Sequence, residues 1–253
     1  MDQDQKVERM ISAPIPRLIF SLAVPSIISM LITSFYNTAD TYFVGKINTE
    51  ATAAVGINFA VMSIIQALGF FFGHGSGNYI SRKLGAKDYE EASTMASTGF
   101  FLAWFAGCIV AVLGVIFSSQ LAVFMGSTPT ILPYAKSYMS IILIGAPIMM
   151  CALVMNNQLR FQGSASYGMV GIVSGGLLNV VLDPILMFVF KMGIAGAAWA
   201  TIISQAVSLG LLLWMSHKGG NLQVHWRKFK PTMFRIKEIL AGGSPSLFRQ
   251  GFG

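Results

Sequence analysis

Six stretches of about twenty mostly apolar residues, separated by short polar segments, constrain this chain more than any other feature. They run roughly over Leu18–Val44, Val55–Ile80, Thr94–Phe117, Tyr138–Leu159, Tyr167–Phe190 and Ile194–Met215. As helices they match the hydrocarbon thickness of a bilayer, and a helix satisfies its own backbone polar groups where water is absent. Composition agrees, with 54% hydrophobic and only 11% charged residues, against roughly 25% charged in soluble domains. So few charges cannot cover a water-facing surface, and so apolar a chain is not disordered. Cys108 and Cys151 both lie inside apolar runs and read as small buried hydrophobes, not as a disulfide scaffold. The start, MDQDQKVERM, has no short apolar core followed by a cleavage site, so the first span is expected to be retained. The expected fold is all-α: a polytopic membrane bundle of six transmembrane helices, plus the start of a seventh near Ile236. In segments, this is a polar tail over 1–17, a lobe over 18–215, a basic linker over 216–235 and the opening of a further unit over 236–253.

Lysine and arginine favour cytoplasmic loops. With the N-terminus inside, thirteen fall on inner segments, from Lys6, Arg9 and Arg17 through Arg82, Lys83, Lys87 and Arg160 to the linker. Three, Lys46, Lys136 and Lys191, fall outside. This bias orients the chain and accounts for its net charge of +7 without nucleic acid. The basic stretch from His217 to Lys237 is either a plain topology signal or a contact with anionic head groups. IFSLAVPSII at 19–28 is echoed by ILAGGSPSLF at 239–248, an offset of 220 residues. Each match opens an apolar segment after a basic stretch. The echo is either coincidence or the beginning of a second, parallel six-span half, as in many transporters.

Of ten acidic residues, only Asp40 and Asp183 fall inside spans, where an ionisable group is costly and is by default functional. By helical rise, both sit within about 12 Å of the outer end, and Thr201 in the antiparallel sixth span falls at a similar depth. Asn37 precedes Asp40 by three residues and Asn179 precedes Asp183 by four, spacings that share a helix face. Two carboxylates, two amides and a hydroxyl at one level suit a hard cation such as Na⁺, or a shared proton. Two carboxylates at close range stay ionised only at a cost that a proton or a cation relieves. Alternatives stand beside this reading: Asp40 snorkelling at the interface, and Asp183-Pro184 marking a helix break. Pro25, inside the first span, is either a static bend or a kink that moves. His74, in the small-residue stretch GHGSG, reads as part of a close helix approach, with no second ligand at metal spacing. Polar groups such as Asn156, Gln158 and Gln205 read as inter-helix hydrogen bonds. The 15 Met and 19 Phe either line an adaptable pocket or face lipid.

Four stretches carry a family likeness: Pro25 with NTADTYFVG at 37–45, YISRKLGAKD at 79–88, NVVLDPIL at 179–186, and GIAGAAWAT at 193–201. With them the whole chain resembles the MATE (multidrug and toxic compound extrusion) transporters, in the prokaryotic branch of DinF-like and MepA-like exporters. The resemblance implies an N-terminal six-span lobe of a twelve-span protein in a prokaryotic inner (plasma) membrane. It implies export of drugs and organic cations in exchange for Na⁺ or H⁺, with no other cofactor. It also implies a cation site at Asp40, Asn179, Asp183 and Thr201, a bend at Pro25, and a partner lobe that this stretch lacks. His74 departs from the family pattern. A lipid-linked precursor flippase of related architecture is the runner-up, disfavoured because no Lys or Arg falls in the middle of the six spans. A non-transporting half-protein is a third reading. An intramembrane aspartyl protease fits neither NTADTY nor NVVLDP, and no phosphate-binding GxxxxGK[ST] loop is present.

Overall fold

Residues 5, 8 and 12–251 are described by a computed structural model; the counted Lys6 and Arg9 and most of the N-terminal tail lie outside them. The chain runs through α1 (Ile15–Gly45), α2 (Thr49–Gly85), α3 (Tyr89–Ile116), the short α4 (Ser118–Phe124), α5 (Leu132–Phe161), α6 (Ala165–Pro184), α7 (Ile194–Lys218) and α8 (Met233–Gly251). Among the described residues there is no strand. Six helices are long and apolar enough to cross a membrane: α1, α2, α3, α5, α6 with the turn that follows it, and α7.

α1, α2 and α5 overrun the apolar stretches at both ends, α3 and α6 at their starts and α7 at its end. Asn48 caps α2 by accepting from the Ala51 amide at 2.7 Å, and Asp88 caps α3 by accepting from Glu91 at 3.2 Å. Each cap satisfies a backbone donor that the helix leaves free. Glu90 and Glu91 in the first turn of α3 complement its dipole. α1 runs unbroken through Pro25, with the Ser29 hydroxyl donating to the Pro25 carbonyl at 2.8 Å. α6 ends at Pro184, which has no amide hydrogen to continue the ladder, and one π-helical turn follows over Ile185–Val189. Gly193, at φ +55°, then reverses the chain into α7, a conformation that glycine adopts without strain.

α5 is the axis of the bundle. About two-thirds of its most apolar stretch is buried, against 11% for α1. α2, α3, α6 and α7 pack round α5, and α1 lies at the margin against α6. Gln158 on α5 donates to the Ser76 hydroxyl at 3.0 Å and the Ala96 carbonyl at 3.1 Å, and Asn156 donates to the Gly168 carbonyl at 2.8 Å. These are the inter-helix bonds expected of such residues in a membrane interior.

Arg82, Lys83, Arg160 and the linker gather at one end of the bundle, here named the basic end. There the linker is strapped down: Gln162 accepts from the Leu222 amide at 2.8 Å, Ser97 from His225 at 3.1 Å and Thr98 from Lys230 at 3.3 Å. α8, which is amphipathic, then packs on α2. The glycines of GHGSG permit this, because a Cβ on Gly75 would strike the Ile239 backbone.

Candidate cation site and cavity

Near the opposite end, α6 brings Asn179 and Asp183 one turn apart, and the Asn179 amide donates to Asp183 Oδ1 at 3.2 Å. Asp183 is fully buried, and Asn179 and Thr201 are nearly so. Asp40 on α1 is half-buried but acts electrostatically on Asp183. Thr201 on α7 spends its proton on the Ala197 carbonyl at 3.1 Å and keeps its oxygen lone pairs. Asp40 Oδ1, Asn179 Oδ1 and Asp183 Oδ2 are each buried with no hydrogen-bond partner. Unpartnered buried oxygens are rare and costly. Three of them converging from two helices is an arrangement that a hard, oxygen-seeking cation or a proton would complete. No group of three or more His, Cys, Asp or Glu side chains forms a metal cluster among the described residues.

The set differs from the expected one in two places. Asn37 is half-buried, and its backbone carbonyl accepts from Thr41 at 2.9 Å; among the described residues its amide makes no hydrogen bond to Asp40. Tyr36, four residues before Asp40, takes that place: it interacts with Asp40 and lines the adjoining cavity. Tyr138 on α5 was missed altogether. It is completely buried and lies beside Asp40, Asp183 and Thr201. The depth arithmetic that selects Thr201 also reaches Tyr138, six residues into the antiparallel α5. The Asp183-Pro184 pair does mark a break: the α-helix ends at Pro184, one residue after the buried carboxylate, and the π turn begins at Ile185.

A cavity of about 820 Å³ adjoins this set, between α1, α2, α5, α6, α7 and the end of α8. Tyr36, Asn179 and Thr201 line it toward the carboxylates, with Met30, Met62 and Met149 along its walls. His74, Arg160 and Arg249 line its basic end. Arg160 therefore belongs to the wall of the cavity and not to a loop, because α5 continues to Phe161. Arg160 sits in the last turn of α5, so no Lys or Arg falls in the middle of the six spans.

Outside the cavity, three acids at the basic end are paired. Arg235 holds both oxygens of Glu91 at 3.0 and 2.7 Å, and Arg82 pairs with Glu238. Lys83 reaches Asp88 at 3.0 Å, and this bond, with the Glu91 amide, holds the Asp88 carboxyl below the usual carboxylate range.

The MatE family model matches residues 25–185, which contain Pro25, Asp40, Tyr138, Asn179 and Asp183. The chain belongs to the MATE family. The multidrug export protein MepA of Staphylococcus haemolyticus (strain JCSC1435) is 30% identical over 226 residues, 88% of this chain and 50% of that protein. A MATE structure in the bent conformation superposes with TM-score 0.88 at 30% identity, over 99% of this chain and 55% of that one. One in the straight conformation gives 0.85 at 33% identity, over 92% and 52%. The chain spans about half the length of the relatives it matches. MATE proteins are multidrug efflux transporters and not enzymes, and this chain is a multi-pass membrane segment of that family.

Proposed function

We propose that this lobe carries the coupling-cation site of an antiporter that exports drugs and organic cations in exchange for Na⁺ or H⁺ by alternating access. The observation that carries the reading is the trio of buried, unpartnered oxygens of Asp40, Asn179 and Asp183 beside a methionine-lined cavity of about 820 Å³. Thr201 and Tyr138 complete the shell. A cation that binds one state more tightly shifts the protein toward that state, and two neighbouring carboxylates supply such a difference. Cation entry closes the shell around Asp40 and Asp183, and drug binding in the adjoining cavity favours the other state.

Pro25 is the position at which α1 bends between states, since its missing amide hydrogen weakens the helix there. MATE neighbours with bent and straight conformations support that assignment. A second six-span lobe supplies the rest of the drug pathway. The basic end faces the cytoplasm of a prokaryotic plasma membrane, in keeping with the lysine and arginine bias.

The test is ethidium efflux from cells expressing the complete reading frame, with and without Na⁺, beside an Asp40→Asn variant. The expected result is efflux that depends on Asp40, and its response to Na⁺ identifies the ion. Equal efflux from the variant, inserted at wild-type level, would overturn the reading.

A further inference from the structure

The cavity has two electrical poles. The carboxylates of Asp40 and Asp183 lie behind Asn179 and Thr201 at one pole. At the other, Arg160, Arg249 and His74 all line the wall, and among the described residues no acidic side chain lines the cavity. The Arg160 Nε is buried with no hydrogen-bond partner. A guanidinium presents a planar fork of donors that matches a carboxylate or phosphate, so an orphaned donor here is the counterpart of the orphaned oxygens at the other pole. His74 does not serve Arg160 as an acceptor through Nδ1, because that nitrogen shares a 2.8 Å hydrogen bond with Ser246 on α8. Its ring is fixed between Phe70, stacked at 5.4 Å, and the edge of Phe161 at 5.9 Å. Phe161 follows Arg160 on α5, so the aromatic packing that fixes His74 also fixes the end of the helix that presents the guanidinium.

We propose that the basic pole is an anion subsite, in which Arg160 receives a carboxylate or phosphate carried by an amphiphilic substrate while the apolar body lies against the methionine wall. The proposal deepens the reading of this cavity as the drug cavity and rests on it. It assigns the transporter substrates with an anionic group at one end, zwitterions included, and a fixed orientation for them. The phosphate of a lipid head group has the same chemistry as a dissolved anion, and the test separates the two sources.

The complete transporter, reconstituted in phosphatidylcholine vesicles, is titrated with a rhodamine bearing a free carboxylate and with the methyl ester of the same dye, read by fluorescence anisotropy. Arg160→Gln is expected to weaken binding of the carboxylate dye roughly tenfold, as for loss of a hydrogen bond to a charged group, and the ester far less. Arg160→Lys is expected to restore part of the difference. Adding phosphatidylglycerol lowers wild-type affinity for the carboxylate dye if head groups compete for the pole, and leaves it unchanged if the pole takes dissolved anions only; either result is read on top of the Arg160 selectivity. An equal change for both dyes in Arg160→Gln, or none for either, would overturn the subsite and leave the drug cavity standing. Failure of the wild type to bind either dye would overturn both.

Discussion

The two ends of this lobe treat acidic side chains in opposite ways. At the basic end, Glu91, Glu238 and Asp88 each meet a cation, Arg235, Arg82 and Lys83 in turn; the first two pairs fasten α8 to the bundle, and the third ties the end of α2 to the start of α3. Near the opposite end, Asp40 and Asp183 act on each other and, among the described residues, meet no cation: their neighbours are Asn179, Thr201 and two tyrosines, and they leave oxygens unpartnered. A paired carboxylate stabilises one arrangement. An unpaired buried one costs stability and is kept where a mobile charge arrives and leaves. The contrast separates residues that hold the fold from residues proposed to do work in it.

The largest expected effect is at the unpaired end. Asp183→Asn removes a charge that the cation needs and is expected to reduce drug export roughly tenfold or more, the scale of a lost charged hydrogen bond, with membrane insertion unchanged. Glu91→Gln, at the paired end, is expected to leave export within about twofold and to lower the melting temperature by about 2–4 °C, from the loss of about 1 kcal/mol. Export assays and thermal melts on the two variants side by side would break the comparison if their effects were exchanged. Next in size is Tyr138→Phe. It removes one hydroxyl from the shell and is expected to raise the cation concentration for half-maximal export roughly fivefold, as for a single neutral hydrogen bond. An unchanged cation dependence would place Tyr138 in the packing alone.

Gly75→Ala sharpens the comparison from the other side. The new methyl would strike the Ile239 backbone, a cost of about 1–3 kcal/mol, and it is expected to loosen α8 from α2 without touching the cation response. Hydrogen exchange in α8 reads this directly. The smallest effect is at Asp88. Lys83 and the Glu91 amide hold its carboxyl below the usual range, so its contribution is present at neutral pH. That contribution is lost as pH falls from about 4, the ordinary value, through the lowered one. Asp88→Asn is expected to flatten that part of the melting temperature against pH curve slightly; a slope identical to wild type would remove Asp88 from the account.

Much of the fold was legible because membrane depth imposes a length on apolar runs, and the six spans follow from it. The helix ends were less so, since Asn48 and Asp88 carry α2 and α3 into polar sequence where hydropathy gives no signal. Asp40 and Asp183 were legible because charge at that depth is rare. Tyr138 was not, because a tyrosine in a span is as much a packing residue as a polar one, and only the packing of α1, α5, α6 and α7 places it beside Asp40, Asp183 and Thr201. Asn37 shares a helix face with Asp40 by spacing, while the approach of α6 meets the face that carries Ile32 and Tyr36. Arg160 was placed in a loop because the apolar run ends at Leu159, whereas α5 continues two residues further and turns it into the cavity wall.

The central claim, that the unpaired carboxylates couple a cation gradient to drug movement, is tested most directly in proteoliposomes holding the complete transporter under imposed Na⁺ or proton gradients. The account predicts drug accumulation driven by one of the two gradients in the wild type and in Glu91→Gln, and none in Asp183→Asn. Gradient-driven accumulation by Asp183→Asn at the wild-type rate would contradict it.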